Sequence, residues 1–240
     1  MINLKGRKEY SYPYDYFVID NCFEEEDLTK LIREWPTDTL NQLGRVVMGG
    51  RKQMSDLKSF EETSPTWKAF YDYLNSDKVL NMFKGSFEPS MKQWGCTLAE
   101  QDTISNNKMY THIDWSEAND GYVREIHTDS KKRFVNFLIF FNDKGWNGGD
   151  FLIHSSDGIS TYYPPQAKYR DVYNGLDTKV HDIIEAKKNR AVFFLSSPNS
   201  LHSVSRQSNT LEPRKFIYGA YSSRDNSKPV FTNYENKRLR

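Results

Sequence analysis

A histidine and an aspartate two positions apart, His127 and Asp129, and a distant second histidine, His202, are the residues of this chain best suited to chemistry. Side chains of an extended strand alternate with period two, so His127 and Asp129 project to one side. One imidazole and one carboxylate on that side, joined by another imidazole, make the two-histidine, one-carboxylate set of a non-haem Fe(II) site. Such a set fills one face of an octahedron and leaves the opposite face for substrate. A second triplet of the same form, His112-Ile113-Asp114, competes for the role.

The surrounding sequence must supply strands to carry these groups. Beyond residue 120 it breaks into short apolar runs separated by turn residues, the pattern of an all-β sandwich or barrel. Phe134–Phe141 reads as a strand ended by Asn142-Asp143, and Asn147-Gly148-Gly149-Asp150 as a turn launching Phe151–His154. Ala191–Leu195 and Phe216–Tyr221 are further strands, and Ser196–Ser200 turns the chain toward His202. The Tyr- and Pro-rich stretch 155–180, with Tyr162-Tyr163-Pro164-Pro165, is too long for a hairpin and is a candidate substrate loop.

Before residue 120, Tyr16–Asp20 reads as a strand. Phe23, Leu28, Leu31, Ile32 and Trp35 recur at helical spacing, and Pro36 ends that helix. A second helical stretch runs from Ser64 to Phe83 and breaks near Asn75–Asp77, with strands expected around Trp94 and over Met109–Trp115. Residues 1–14 read as a polar arm and 225–240 as a polar tail. Within 37–62 only Gly49-Gly50 marks a break.

Composition narrows the function. A net charge of +1 gives no electrostatic reason to expect nucleic acid or an anionic membrane. The two cysteines, Cys22 and Cys96, form no CxxC pair and fit a reducing compartment. The opening MINLKGRKEYSYPYDYF has no apolar core of signal-peptide length, and no run approaches a membrane span, so a cytoplasmic location is expected. His154 and His181 read as structural histidines, and Phe137, Phe140, Phe193 and Phe194 as core.

Taken in order, these residues resemble the 2-oxoglutarate- and Fe(II)-dependent dioxygenases, especially the prolyl-hydroxylase-like branch. The resemblance rests on Gly121-Tyr122 before His127-Thr128-Asp129-Ser130, Phe140–Asp143, Trp146 with Gly148-Gly149-Asp150-Phe151, Val192-Phe193-Phe194 before Leu201–Val204, and Arg214. It covers 120–221 well and 15–35 loosely, and its spacing favours His127 over His112. It implies a mainly β fold, a double-stranded β-helix or jelly roll with N-terminal helices buttressing one sheet. The whole of 1–240 would be one catalytic domain: a support region at about 15–100, the β-helix core at about 101–224, then the tail.

The resemblance also implies that His127, Asp129 and His202 hold Fe(II). Arg214 would pair with the C5 carboxylate of 2-oxoglutarate, with Arg206 and Arg124 as rivals and Asn136 as a further contact. Residues 214, 216, 218 and 220 would share one inward face. Phe216 stands where relatives often carry serine, and Phe140 and Trp115 where they often use a tyrosine hydroxyl, which makes the co-substrate pocket less polar. The implied cofactors are Fe(II), 2-oxoglutarate and O2, supported by ascorbate. The implied reaction is oxidative decarboxylation of the oxoacid coupled to hydroxylation of an unactivated C–H bond. The carboxylate at Asp129 favours hydroxylation over halogenation. A prolyl or other residue of a protein or peptide is the leading substrate. A free amino acid or metabolite, or a non-oxygenase metal-binding jelly roll of cupin type, are the alternatives.

Overall fold

Strands buried on both faces read as continuous apolar runs rather than alternating ones, and Arg133-Phe-Val-Asn-Phe-Leu-Ile-Phe140 shows why. In the computed structural model, which describes residues 2–47, 51–54, 64–156, 178–225 and 228–232, this strand lies in the middle of a large sheet with a separate core on each face. Phe137 and Ile139 face one core, Leu138 and Phe140 the other.

The elements in order are β1 (Lys8–Tyr10), β2 (Tyr16–Asp20), α1 (Glu25–Arg33), α2 (Thr37–Leu43), β3 (Arg45–Val47), β4 (Arg51–Met54), α3 (Pro65–Leu74) and α4 (Asp77–Gln93). Then come β5 (Met109–Ala118), β6 (Arg124–His127), β7 (Arg133–Phe140), β8 (Phe151–Ser156), β9 (Thr178–Ile184), β10 (Arg190–Leu195), β11 (His202–Val204) and β12 (Arg214–Ser223). The major sheet has eight strands in the order β1-β2-β10-β7-β12-β5-β4-β3, and the minor sheet four in the order β6-β11-β8-β9. All their pairings are antiparallel. This is the jelly-roll architecture expected, with the described helices all on one sheet.

The helices cover the outer face of the major sheet. Leu28, Leu31, Trp67, Phe70, Leu80 and Phe83 pack there against Phe17, Ile139, Phe193 and Ile217. Ser64 caps α3, its Oγ accepting from the Trp67 amide at 3.0 Å, with Pro65 at the first helical position. The inner face of the same sheet meets the minor sheet through Leu138, Phe140, Phe216, Phe151, Phe194 and Val204.

Several expectations need correcting. Trp94 is not in a strand: α4 runs on through Pro89 to Gln93, and Trp94 caps it. Residues 8–10 of the expected arm form β1 against β2, and Tyr14 is buried. Within the expected tail, Val230 and Phe231 are buried, with the Val230 amide donating to the Lys131 carbonyl at 2.8 Å. Residues 45–47 and 51–54 add a β-hairpin to the edge of the major sheet beyond β5. The Gly49-Gly50 break and the Tyr162–Pro165 segment lie outside the described residues.

One close approach is testable. Gly219 on β12 lies opposite Phe137 on β7, and a Cβ there would run into the Phe137 ring. That ring is fully buried and packs against Phe193 and Tyr221, so it has nowhere to retreat. Gly219→Ala is expected to destabilise the protein by about 1–3 kcal/mol through overpacking, seen as a midpoint several degrees lower in a thermal melt. An unchanged midpoint would show that the two strands can part.

Candidate active site

Pairing of β6 with β11 places His202 directly opposite His127. Strand β6 ends at His127, so Asp129 sits just past the strand and not on it, where the chain turns toward β7. The strand-alternation argument for this pair therefore does not apply. Asp129 nevertheless reaches the same point, and one ligand atom from each of His127, Asp129 and His202 lies within 4.8 Å of the others. All three residues are buried. Among the described residues no other histidine, cysteine, aspartate and glutamate group converges this way.

Each imidazole is oriented by the backbone. Nδ1–H of His127 donates to the Glu125 carbonyl at 2.7 Å, and Nδ1–H of His202 to the Ser200 carbonyl at 2.9 Å. Because a carbonyl can only accept, both Nε2 atoms are turned toward Asp129, at 3.8 Å for His127 and 3.4 Å for His202. Burial, and then the neighbouring His202, push His127 well below the usual imidazole range, so it is neutral. Neutral Nε2 is the form that binds a metal.

The carboxylate is held just as firmly. Tyr218 Oη–H donates to Asp129 Oδ2 at 3.0 Å, and Arg133 Nη1 stands 3.2 Å from Oδ1. Burial opposes ionisation of Asp129, but the Arg133 guanidinium, and then contact with His202, outweigh it and keep the carboxyl well below the usual carboxylate range. Two oriented imidazoles and one ionised carboxylate fit a divalent ion with open positions.

The triad opens on a cavity of about 210 Å3 between the two sheets. Leu138, Phe151, Phe194, Val204 and Phe216 form its apolar walls. The rest of the lining is largely polar and includes His112 and Asp114 of the second triplet. His112 Nε2 pairs with Asp114 Oδ1 at 3.0 Å, and Gln53 and Arg51 reach the other Asp114 oxygen at 2.6 and 3.5 Å. His112 and Asp114 thus face the same cavity as the triad without joining it.

Arg214 begins β12 with its side chain fully enclosed. Its guanidinium lies over the rings of Phe216 at 4.6 Å, Tyr122 at 5.2 Å and Phe140 at 5.9 Å. Among the described residues it has no ion pair or hydrogen bond, and its Nε is buried without a partner. Burial pushes it down to about 10. A buried cation without an anion is expensive, which fits a site that takes its counter-charge from a ligand. Tyr122 and Phe216 line the cavity, so Arg214 stands one ring behind its wall. Gly149, at φ +72, lets the turn before β8 approach the guanidinium, since a Cβ there would lie 2.9 Å from Arg214 Nη1.

The other sequence-derived candidates separate cleanly. Asn136 is buried but does not line the cavity. Its Oδ1 accepts from Arg133 at 3.3 Å, so it bears on the site through the arginine that grips Asp129. Arg124 does line the cavity, and Arg206 does not. Trp115 faces away from the cavity and packs on Trp67 among the helices, because alternation along β5 sends Asp114 and Ser116 inward instead. Phe140 and Phe216 are inward, as expected. His154 is buried with Nε2 2.7 Å from Ser203 Oγ, and His181 is exposed. Arg51 and Gln53 were not anticipated, since nothing in residues 37–62 announced a strand. Tyr218 was within reach of the period-two rule from Arg214.

Comparison with known proteins agrees with this geometry. A family model described as the 2OG-Fe(II) oxygenase superfamily matches residues 102–221, half of the chain, and the protein belongs to that superfamily. Its members are oxygenases that use Fe(II), 2-oxoglutarate and O2. A Pseudomonas putida prolyl-4-hydroxylase aligns over 87% of this chain and 92% of its own, at 11% identity and a TM-score of 0.57. A prolyl 4-hydroxylase from Phytophthora capsici aligns over 89% of this chain and 60% of its own, at 17% identity and 0.53. The epimerase SnoN, solved with Fe3+, alpha ketoglutarate and nogalamycin RO, aligns over 86% and 78%, at 10% and 0.53. At these identities the likeness is one of fold. No curated protein matches the chain. No helix among the described residues is long and apolar enough to cross a membrane.

Proposed function

We propose that this chain, as one catalytic domain over residues 1–240, is a hydroxylase that acts on an unactivated C–H bond of a prolyl or other residue in a protein or peptide. The observation that carries the reading is the meeting of His127, Asp129 and His202 on the wall of a cavity backed by the Arg214 guanidinium, which has no ion pair among the described residues. His127, Asp129 and His202 would hold Fe(II), and Arg214 the C5 carboxylate of 2-oxoglutarate. When bound, the iron and oxoacid supply the oxidising chemistry, consuming O2 and releasing succinate and CO2. The chain's own part is positional. The Glu125 and Ser200 carbonyls fix the imidazoles, Arg133 and Tyr218 fix the carboxylate, and Leu138, Phe151, Phe194 and Val204 keep the reacting face dry. The prolyl-4-hydroxylase fold supports a peptide substrate. The polar lining of Arg51, Gln53, His112 and Asp114 in the cavity is also suited to a free amino acid or metabolite, which is the second reading.

The test is succinate formation from 2-oxoglutarate by the purified protein with Fe(II), ascorbate and O2. Slow turnover without a prime substrate is expected. No turnover, together with no 2-oxoglutarate binding to the anaerobic Mn(II) form, would leave a metal-binding jelly roll of another activity.

A further inference from the structure

Arg124 lies on β6 three residues before His127, opposite Val204 of β11. Its Nη2 is 3.0 Å from Nε2 of His127. Since Nδ1 of that ring donates to the Glu125 carbonyl, Nε2 carries the lone pair, and the guanidinium donates to it. That lone pair is the one His127 would offer a metal ion. The ion and Arg124 therefore compete for one atom, and a divalent charge there would also repel the guanidinium. Arg124 is half-buried and lines the same cavity as the triad, so a displaced guanidinium has the cavity beside it.

We propose that Arg124 is an oxoacid-binding residue at the metal end of the cavity, displaced from His127 when the ion binds and taken up by the carboxylate next to the 2-oxo group. This deepens the proposed function and rests on it. It assigns the two arginines to opposite ends of one dianion: Arg214 to the C5 carboxylate, Arg124 to C1. The chemistry is that of a charge-assisted hydrogen bond between guanidinium and carboxylate. It makes the two ligands help each other. The ion frees the arginine that the oxoacid needs, and the oxoacid neutralises the arginine that the ion repels.

Two arms of one calorimetric experiment separate this role from a structural one. Mn(II) binding without oxoacid should be several-fold tighter in Arg124→Leu than in wild type, because a competitor and a like charge are gone. In the Mn(II)-loaded, oxygen-free protein, 2-oxoglutarate and oxalate should both bind about 10- to 100-fold more weakly to Arg124→Leu, the size of one charge-assisted hydrogen bond. Oxalate has no C5 end, so Arg214→Met should weaken 2-oxoglutarate and spare oxalate. Arg124→Lys, which keeps the charge on a shorter reach, should recover part of the loss and serves in place of the leucine variant if that fails to fold. Unchanged oxoacid affinity in Arg124→Leu, or a loss confined to 2-oxoglutarate with oxalate unaffected, would overturn the assignment. If wild type binds Mn(II) but neither oxoacid, the proposed function itself is wrong, while unchanged Mn(II) affinity in the variant would refute the competition at His127.

Discussion

Replacing His127 or Asp129 by alanine is expected to weaken Mn(II) or Fe(II) binding by more than about 10²-fold and to abolish oxoacid turnover, with the fold retained. Loss of a residue that merely orients a metal ligand already costs roughly 10- to 100-fold, and these substitutions remove ligands. Fold retention follows from where the residues sit. His127 is the last residue of β6, and Asp129 lies in the connection to β7, so neither contributes to the apolar cores on the two faces of the major sheet. Asp129→Ala leaves Arg133 and Tyr218 without their carboxylate, but Arg133 keeps Asn136 and lies over the Tyr218 ring at 5.0 Å. His112→Ala and Asp114→Ala form the control. They line the same cavity and share the sequence pattern, yet do not converge with the triad, so metal affinity should stay within a few-fold of wild type. Calorimetric titration with Mn(II), paired with near-ultraviolet circular dichroism to check the fold, decides the matter. Equal losses in the two sets would mean that the second triplet provides the ligands.

What the sequence revealed and what it hid follow from one physical distinction. Strands buried on both faces announce themselves through uninterrupted apolar runs, and β7, β10 and β12 were legible for that reason. Their registers also carry the site, since period two from Arg214 puts Phe216 and Tyr218 inward. The edge strands Lys8-Glu9-Tyr10 and Arg45-Val46-Val47 bury one face at most, and Arg51-Lys52-Gln53-Met54, paired between β3 and β5, is short and mostly polar, so none of the three gave a signal. The cost is specific, because Arg51 and Gln53 belong to the cavity wall.

Trp115 was misplaced for a related reason. Its strand was expected, but which face a residue takes is fixed only when a partner sets the register, and β5 pairs Asp114 with Tyr218 and Trp115 with Ile217. Asp129 illustrates the opposite case, a residue that converges with His127 and His202 without sharing a strand face with His127. The two-residue spacing brought it to the site because the chain turns after His127, and no strand geometry was needed. The triad was legible through residue types. The groups that hold it in place, the Glu125 and Ser200 carbonyls and the Tyr218 hydroxyl, depend on backbone conformation and contacts distant in sequence.

Substituting Arg214 by methionine should move binding and stability in opposite directions. In the Mn(II)-loaded, oxygen-free protein, 2-oxoglutarate affinity is expected to fall about 10²- to 10³-fold, the consequence of leaving one carboxylate of a buried pair without its partner. Mn(II) affinity should hold within a few-fold, because Arg214 touches none of the three proposed metal ligands. The ligand-free protein is expected to become more stable. Its guanidinium is enclosed by Phe216, Tyr122 and Phe140 with no ion pair among the described residues, and contact with three rings offsets only part of the desolvation. The sign follows from the shift to about 10. A base harder to protonate folded than unfolded costs stability at every pH below its folded value, and the cost fades only as pH rises past about 10 toward the free arginine range. Methionine fills much of the same volume without the charge, so a gain of about 1–3 kcal/mol is expected, or several degrees in a thermal melt at neutral pH. The same melt repeated with Mn(II) and 2-oxoglutarate should reverse the order, since wild type gains from the ligand and the variant does not. A ligand-free variant less stable than wild type would mean that the guanidinium is already satisfied where it sits. An undiminished 2-oxoglutarate affinity would pass the C5 carboxylate to Arg51, a buried arginine that does line the cavity.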